Sequence, residues 1–289
     1  LKYARKKAME PKIEPDEQIV EQFLGTLSID GKKTIENMKR TGRKLRQDSI
    51  SIVTKTSDYV ELMNASHEVG IFIEDVVPSN LSALYLNEKL SLSPKEFTLF
   101  IDFGSRITNV CFFNQQRVLA VENFEVGGED ITNMIVEELG FSYQEAEEFK
   151  LSASFRLIME GRDTDKKTTR LAHRIKNEKY VLLQLISHYA TKFGLDLNQM
   201  RNIIFAGGGA KLSGLQELVV GFYRKPSDMV GEKTFKYFLN YRIAPEISCS
   251  VGLAYASYLK RQEKVRNRSF TGIISSYFTN RLENILFTD

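Results

Sequence analysis

The sequence predicts an α/β fold in which mixed sheets are flanked by helices, and three observations carry that expectation. Residues 49–77 run strand, helix, strand, the pattern of a mixed or parallel sheet rather than of a hairpin protein. Residues 97–126 hold three apolar strands joined by short connections, the pattern of an antiparallel meander at a sheet edge. Residues 202–223 pass from an apolar strand through three consecutive glycines into a helix.

Taken in order, residues 1–48 are polar and charge-dense, with little clean periodicity, and no element is assigned before SISIVTK (49–55), a strand. SDYVELMNASHEVG (57–70) is a short helix with Ser57 as N-cap, Val60, Leu62 and Met63 on one side, and Gly70 at its end. IFIEDVV (71–77) is again strand-like until Pro78 stops it, and NLSALYLNEKL (80–90) returns to helix. Residues 92–97 are the linker, after which FTLFIDFG, NVCFFNQQ and RVLAVENFEV form the meander. Two glycines then turn the chain into a helix whose Ile131, Met134, Ile135 and Leu139 share a face and which Gly140 terminates. Ser142 and Glu145 make a capping box for the next helix. GRDTDKKTT (161–169) is a solvated, mobile loop, and a long helix runs through residues 178–194. Strand, glycine loop and helix fill 201–223, a basic helix lies near 254–268, and the last stretch is amphipathic.

Composition narrows the functional classes. The 289 residues are 42% hydrophobic and 27% charged, enough apolar material for one large domain or two smaller ones. A net charge of +3 gives no global field for a polyanion, so nucleic acid is not an expected partner. Cys111 and Cys249 lie far apart in apolar segments and read as buried free thiols of a reducing compartment. The three histidines, His67, His173 and His188, form no ligand spacing. No apolar run approaches the roughly 20 residues of a membrane span. The first residues, LKYARKKAMEPK, are charged and have no apolar core, so they do not read as a signal peptide. The chain opens on Leu, and is expected to start at an internal position of a longer protein.

Four segments carry chemistry, each with two readings. In IDFGSRIT (101–108), an acid follows a strand, then glycine and small hydroxyl residues. Such a loop lets backbone N–H groups and hydroxyls meet a phosphate while the carboxylate holds hydrated Mg2+; equally, Asp, Gly and Ser are ordinary turn formers. NIIFAGGGAKLSG (202–214) is either a nucleotide-holding strand–glycine–helix junction or a tight connection, and it is neither a Walker A loop nor GxGxxG. Glu147 and Lys150, three apart on one helix, form either a modest surface pair or contacts to a ribose or base. Phe270, Ile273, Ile274, Tyr277, Phe278, Leu282, Ile285 and Leu286 recur at helical spacing behind Lys264, Arg266 and Arg268. They suit an interfacial membrane helix or a terminal helix docked on the core.

The order of these segments resembles the actin/Hsp70-like ATPase superfamily in its FtsA and PilM branch. IDFGSRIT resembles the second phosphate loop, GGEDIT with EAEEFK the entry into the mobile subdomain, and IIFAGGGAKLSGL the adenosine loop. Residues 21–55 resemble the start of the FtsA-specific 1C subdomain, and the tail matches the amphipathic membrane-targeting helix of that family, which favours FtsA over PilM. The resemblance implies an actin-like (ribonuclease H-like) two-lobed fold. Residues 1–91 would form the 1C-like subdomain with the end of 1A. Residues 92–260 would form the 2A/2B lobe with a return helix, and residues 261–289 a basic linker and amphipathic segment.

It further implies ATP and Mg2+. Asp102, Gly104, Ser105 and Thr108 would face the β- and γ-phosphates, with Asp102 toward the metal. Glu147 and Lys150 would meet ribose or base, and Gly207, Gly208, Gly209 and Lys211 would line the adenosine. Arg106 and Ile107 stand where the family keeps small or hydroxyl residues, and Asn109 where it keeps Asp, which implies at most a weak ATPase. The family's first phosphate loop is absent from these residues and would precede residue 1, as in a chain lacking the N-terminal part of subdomain 1A. The implied partners are the C-terminal peptide of an FtsZ-like tubulin homologue, further copies of the chain in an open head-to-tail filament, and the inner face of the cell membrane, where the protein would sit as a cytoplasmic, peripheral tether. A PilM-like ATPase of type IV pilus assembly and an actin-fold scaffold without catalysis are the alternatives.

Overall fold

The computed structural model describes residues 13–33, 42–74, 76–82, 96–114, 117–163, 165–230 and 244–268. Three strands open the chain: β1 (Glu17–Ile29), β2 (Lys32–Lys33) and β3 (Leu45–Lys55). They form an antiparallel sheet in the order β2-β1-β3, with Glu17 opposite Lys55 and Ile29 opposite Leu45. β1 falls in the stretch to which the sequence assigns no element. Register shifts between Ile19 and Glu21 and between Leu24 and Leu27 interrupt its two-residue alternation, and with it the signal that marks a strand.

α1 (Thr56–Glu68) follows β3 directly and buries none of its residues. Ser57 is not its cap: Lys55 holds the N-cap position, and the Ser57 hydroxyl donates to the Asp58 carboxylate. Gly70 ends the helix as expected, in the left-handed region at φ 75°. The strand expected at 71–77 does not form among the described residues, and Phe72 is 79% exposed. IFIEDVV has strand composition, but a strand exists only where a ladder partner does, and β3 takes β1 as its partner. The N-terminal unit is therefore an antiparallel hairpin with a helix, not a mixed or parallel crossover. Ser79–Leu81 make one 3-10 turn. The rest of the expected 80–90 helix, and most of the 92–97 linker, lie outside the described residues; Phe97 already belongs to the next strand.

The second sheet comprises β4 (Phe97–Phe103), β5 (Thr108–Asn114), β6 (Arg117–Phe124), β7 (Met200–Ala206) and β8 (Ser227–Met229), in the order β6-β5-β4-β7-β8. β4, β5 and β6 form the expected antiparallel meander at one edge. β7 runs parallel to β4, with Asp102 opposite Ala206, and β8 is parallel to β7. The parallel pair requires a crossover, supplied by α2 (Gly128–Leu139), α3 (Tyr143–Lys150), α4 (Ala153–Met159) and α5 (Lys166–Lys192). α6 (Leu215–Tyr223) follows β7, and α7 (Ser248–Arg268) closes the described chain.

Helix ends follow local chemistry. Gly140 caps α2 in the left-handed region, and Ser142 with Glu145 forms the expected capping box of α3. The solvated stretch expected at 161–169 is shorter than its composition suggests. The Asp165 carboxylate accepts from the N–H groups of Lys167 and Thr168, and so starts α5 at Lys166.

The five-stranded sheet is covered on both faces, which explains why β4 and β5 read as unbroken apolar runs. Leu99, Ile101 and Phe103 pack toward the helices with Ile131, Phe155, Leu182 and Val219. Phe100, Cys111, Phe113 and Ile204 face the other way. There they meet Leu81, the Phe23, Ile50 and Ile52 side chains of the N-terminal sheet, and Val251 of α7. Each such fully buried side chain is worth about 1.5–3 kcal/mol. Both cysteines are free thiols, and burial pushes the Cys111 thiol far above its ordinary range.

Candidate functional site

The two-residue period of a strand puts Asp102 on the same face as Phe100, at the end of an otherwise apolar strand. Asp102 is 8% exposed. Its Oδ2 accepts from Asn109 Nδ2 at 3.2 Å across the β4–β5 ladder. Burial holds its carboxyl above the ordinary aspartate value, and the Asn109 bond works weakly against that shift. Gly207 closes on it from the end of the neighbouring parallel strand. It has φ 80°, and a Cβ there would overlap both Asp102 Oδ1 and the Phe103 carbonyl oxygen, so only glycine fits. Gly209 lies against Phe103 in the same way. The Gly207 N–H donates to Pro245 O, which ties this turn to the base of α7, and Lys211 bonds Glu246 at 2.5 Å. The Cys249 thiol also lies here, raised by burial and by the charge of Asp102.

The loop after Asp102 is a built object. Gly104 N–H donates to Ile107 O at 3.1 Å and closes the turn. The Gly104 and Ser105 carbonyl oxygens accept from the N–H groups of Gly128 and Glu129 at 3.0 and 2.8 Å. The first N–H groups of α2 are therefore spent on the loop, and the loop is held by them. A Cβ on Gly127 would overlap the Ser105 carbonyl oxygen, so the glycine at 127 is what lets α2 approach. Ser105, Arg106 and Ile107 are exposed at the apex. Thr108 is fully buried and donates to Val126 O at 2.6 Å.

Two buried lysines support this arrangement from beneath. Lys150 Nζ donates to Gly128 O at 3.1 Å, to Thr132 Oγ1 at 2.7 Å and to Glu147 Oε1 at 2.6 Å. The Thr132 hydroxyl also meets Glu147, whose carboxyl burial pushes up but whose bonds from Lys150 and Thr132, with the Lys150 charge, bring below the usual range. Lys179 Nζ donates to Gly127 O at 3.2 Å and to Glu178 Oε1 at 3.0 Å. Lys150 is thus not half of a surface pair, and its side chain is only 9% exposed. Sequence reasoning missed Lys179 altogether. Its one signal is a lysine on the buried stripe of α5, between Ile175 and Leu182.

A cavity of about 770 Å³ opens on the far side of the glycine turn. Ala210, Lys211, Ser213 and Gly214 form one wall, Lys176 and Tyr180 of α5 another, and Arg156 and Met159 of α4 a third. Its size suits a small organic ligand. The structure thus gathers the predicted residues into two groups. Asp102, Gly104, Ser105 and Gly207 meet at the strand ends, while Lys211 faces the cavity, with Gly208 and Gly209 in the turn between. Glu147 and Lys150 line no part of the cavity; they lie under α2. Lys176 and Tyr180, which do line it, carry no motif and reach it only through the packing of α5 on α6. The apolar tail residues Phe270, Ile273, Ile274, Tyr277, Phe278, Leu282, Ile285 and Leu286 lie outside the described residues. Among the described residues no helix is long and apolar enough to cross a membrane.

Among the described residues, no cluster of three or more His, Cys, Asp or Glu could hold a metal through protein ligands alone. Mg2+ accompanying a nucleotide needs only one or two carboxylates besides phosphates and water, and Asp102 at the strand end fits that mode.

An acid at the end of the central strand of a mixed five-stranded sheet flanked by helices, with a glycine turn pressed on it from the parallel neighbour, is the architecture of an actin-like protein. The sequence profile described as "Cell division protein FtsA" matches residues 99–270, more than half of the chain, and the chain belongs to that family. A solved PilM-PilN type IV pilus biogenesis complex is 20% identical and aligns with a TM-score of 0.57, covering 88% of this chain and 71% of that one. MreB5 of Spiroplasma citri bound to ADP is 13% identical with a TM-score of 0.52, covering 73% of this chain and 68% of that one. These two likenesses establish the fold.

Proposed function

We propose that this chain is an actin-like, nucleotide-binding cell-division protein. In it, residues 92–260 hold ATP, residues 1–91 serve as the 1C-like contact subdomain, and residues 261–289 tether the filament to the inner face of the cell membrane. The observation that carries the nucleotide part is Gly207 pressed against Asp102, with Gly209 against Phe103 and the cavity lined by Ala210 and Lys211 further along the same turn. A ligand with phosphates at one end and a base at the other would lie across the turn. The phosphates would meet Ser105 and the N–H groups of residues 105–107, Asp102 would hold Mg2+, and the base would enter the cavity beside Tyr180. The metal would supply charge neutralisation at the phosphates when bound. Membership of the FtsA family supports an FtsZ-like tubulin homologue as the filament that is tethered.

Full-length protein should bind ATP at micromolar to millimolar concentration, co-sediment with FtsZ filaments, and bind anionic vesicles only while residues 265–289 are present. Vesicle binding that survives their removal would rule out the tether. The PilM likeness favours a second assignment, to type IV pilus assembly; binding of a PilN-like peptide in place of FtsZ would select it. Thr108 and Ser105 are expected to separate. Thr108→Val should lower stability by about 1–3 kcal/mol, because Val126 O loses its buried partner, and should leave ATP affinity unchanged. Ser105→Ala should weaken ATP binding with no change in the urea midpoint.

A further inference from the structure

Arg106 occupies the apex of the 104–107 loop, and its side chain is 80% exposed. Its Nε donates to Glu129 Oε2 at 2.7 Å. Glu129 is fixed in turn, because its own N–H bonds the Ser105 carbonyl oxygen. A guanidinium held through Nε keeps its terminal N–H groups free to form a second, forked interaction. The other cations nearby are committed. Lys150 and Lys179 are buried on the Gly128 and Gly127 carbonyls with Glu147 and Glu178, and Lys211 bonds Glu246. The N-terminus of α2 cannot serve a phosphate either, since its first N–H groups are bonded to the loop.

We infer that Arg106, aimed by Glu129, clamps the terminal phosphate of the bound nucleotide and supplies charge that would otherwise come from Mg2+, so that ATP binding depends only weakly on the metal. This rests on the nucleotide site proposed above and assigns Arg106 a phosphate contact within it and Glu129 a positioning role. A long, exposed cation at the apex of the loop thereby gains a purpose. Glu129 sets its direction, and Tyr143 lies within electrostatic reach of the same pair.

The test is equilibrium binding of a fluorescent ATP derivative and of the AMP derivative to the full chain, in Mg2+ and in EDTA. Wild type should lose less than about threefold in ATP affinity in EDTA. Arg106→Ser should lose about tenfold or more in EDTA, a few-fold in Mg2+, and nothing toward AMP. Glu129→Gln should fall between them, and Arg106→Lys should recover part of the loss. Equal ATP affinity of wild type and Arg106→Ser in EDTA would overturn the inference, as would a loss shared with AMP. An absence of ATP binding by wild type in both buffers would instead overturn the nucleotide site, and the clamp with it. The exposure of Arg106 makes unfolding of the variant an unneeded explanation, and an unchanged thermal midpoint checks that.

Discussion

Asp102→Asn is expected to raise the stability of the unliganded protein while lowering ATP affinity in Mg2+ by no more than about threefold, the share of binding that the metal supplies. The carboxyl sits at the end of a buried strand with Asn109 as its hydrogen-bond donor, and burial raises its pKa above the ordinary 3.8. The sign follows from proton linkage. Below 3.8 the folded and unfolded forms both hold the proton. As pH rises toward the folded value, the unfolded chain releases its proton first, so stability falls through that window and stays lower above it. The amide variant keeps the shape and an oxygen that accepts from Asn109, yet never bears the charge. Its stability should therefore lack that downward step, and its thermal midpoint at neutral pH should lie higher, by about 2–4 °C for each kcal/mol gained. The same charge is what a metal-bound phosphate would use, so stability and binding should move in opposite directions. Thermal melts of metal-free protein from pH 3 to 8, paired with ATP titrations, check both halves. A variant that melts lower at neutral pH would show that the Asp102 charge is compensated in the fold.

Lys150→Met is expected to lower stability by about 1–3 kcal/mol, the cost of leaving buried acceptors without their donor, because the Glu147 carboxylate left behind is 39% exposed and stays solvated. Methionine retains the stem but leaves Gly128 O, the Thr132 hydroxyl and the Glu147 carboxylate without their cation. The Glu147 carboxyl lies below its ordinary 4.5, so its contribution is present above that pH and is lost as pH falls through the folded value. In the variant that acid-side loss should shrink, because Lys150 supplies both a bond and a charge to the carboxylate. Urea unfolding at pH 7 and pH 4 measures both effects. The control is Arg174→Ala, which removes a half-exposed pair with Glu137 and should cost less than about 1 kcal/mol.

The local parts of the fold were legible because local chemistry decides them. Alternating and continuous apolar runs separated by Asn-Gln-Gln marked the meander, Gly140 marked the end of α2, and Ser142 with Glu145 marked the start of α3. β1 was not legible, because two register shifts break its alternation, and the expected strand at 71–77 failed because its composition says nothing about a partner. The site divides in the same way. IDFGSRIT and the triple glycine stand out, since Asp102 interrupts an apolar strand and three glycines in a row are unusual. Lys179, Lys176 and Tyr180 do not stand out, since each is an ordinary residue of a long helix.

By itself, then, the sequence determined the meander, the helix ends at Gly140 and Ser142, and the two glycine-rich turns, all set by residues within a few positions of one another. The tertiary structure alone decided that Lys150 is buried beneath α2, that the Thr108 hydroxyl turns inward, and that α5 brings Tyr180 to the cavity. Each of those depends on contacts between residues some 18 to 40 positions apart in the chain, such as Thr108 with Val126 and Tyr223 with Leu183. Such contacts are set by how the helices pack on the sheet, for which no short stretch of sequence carries a signal.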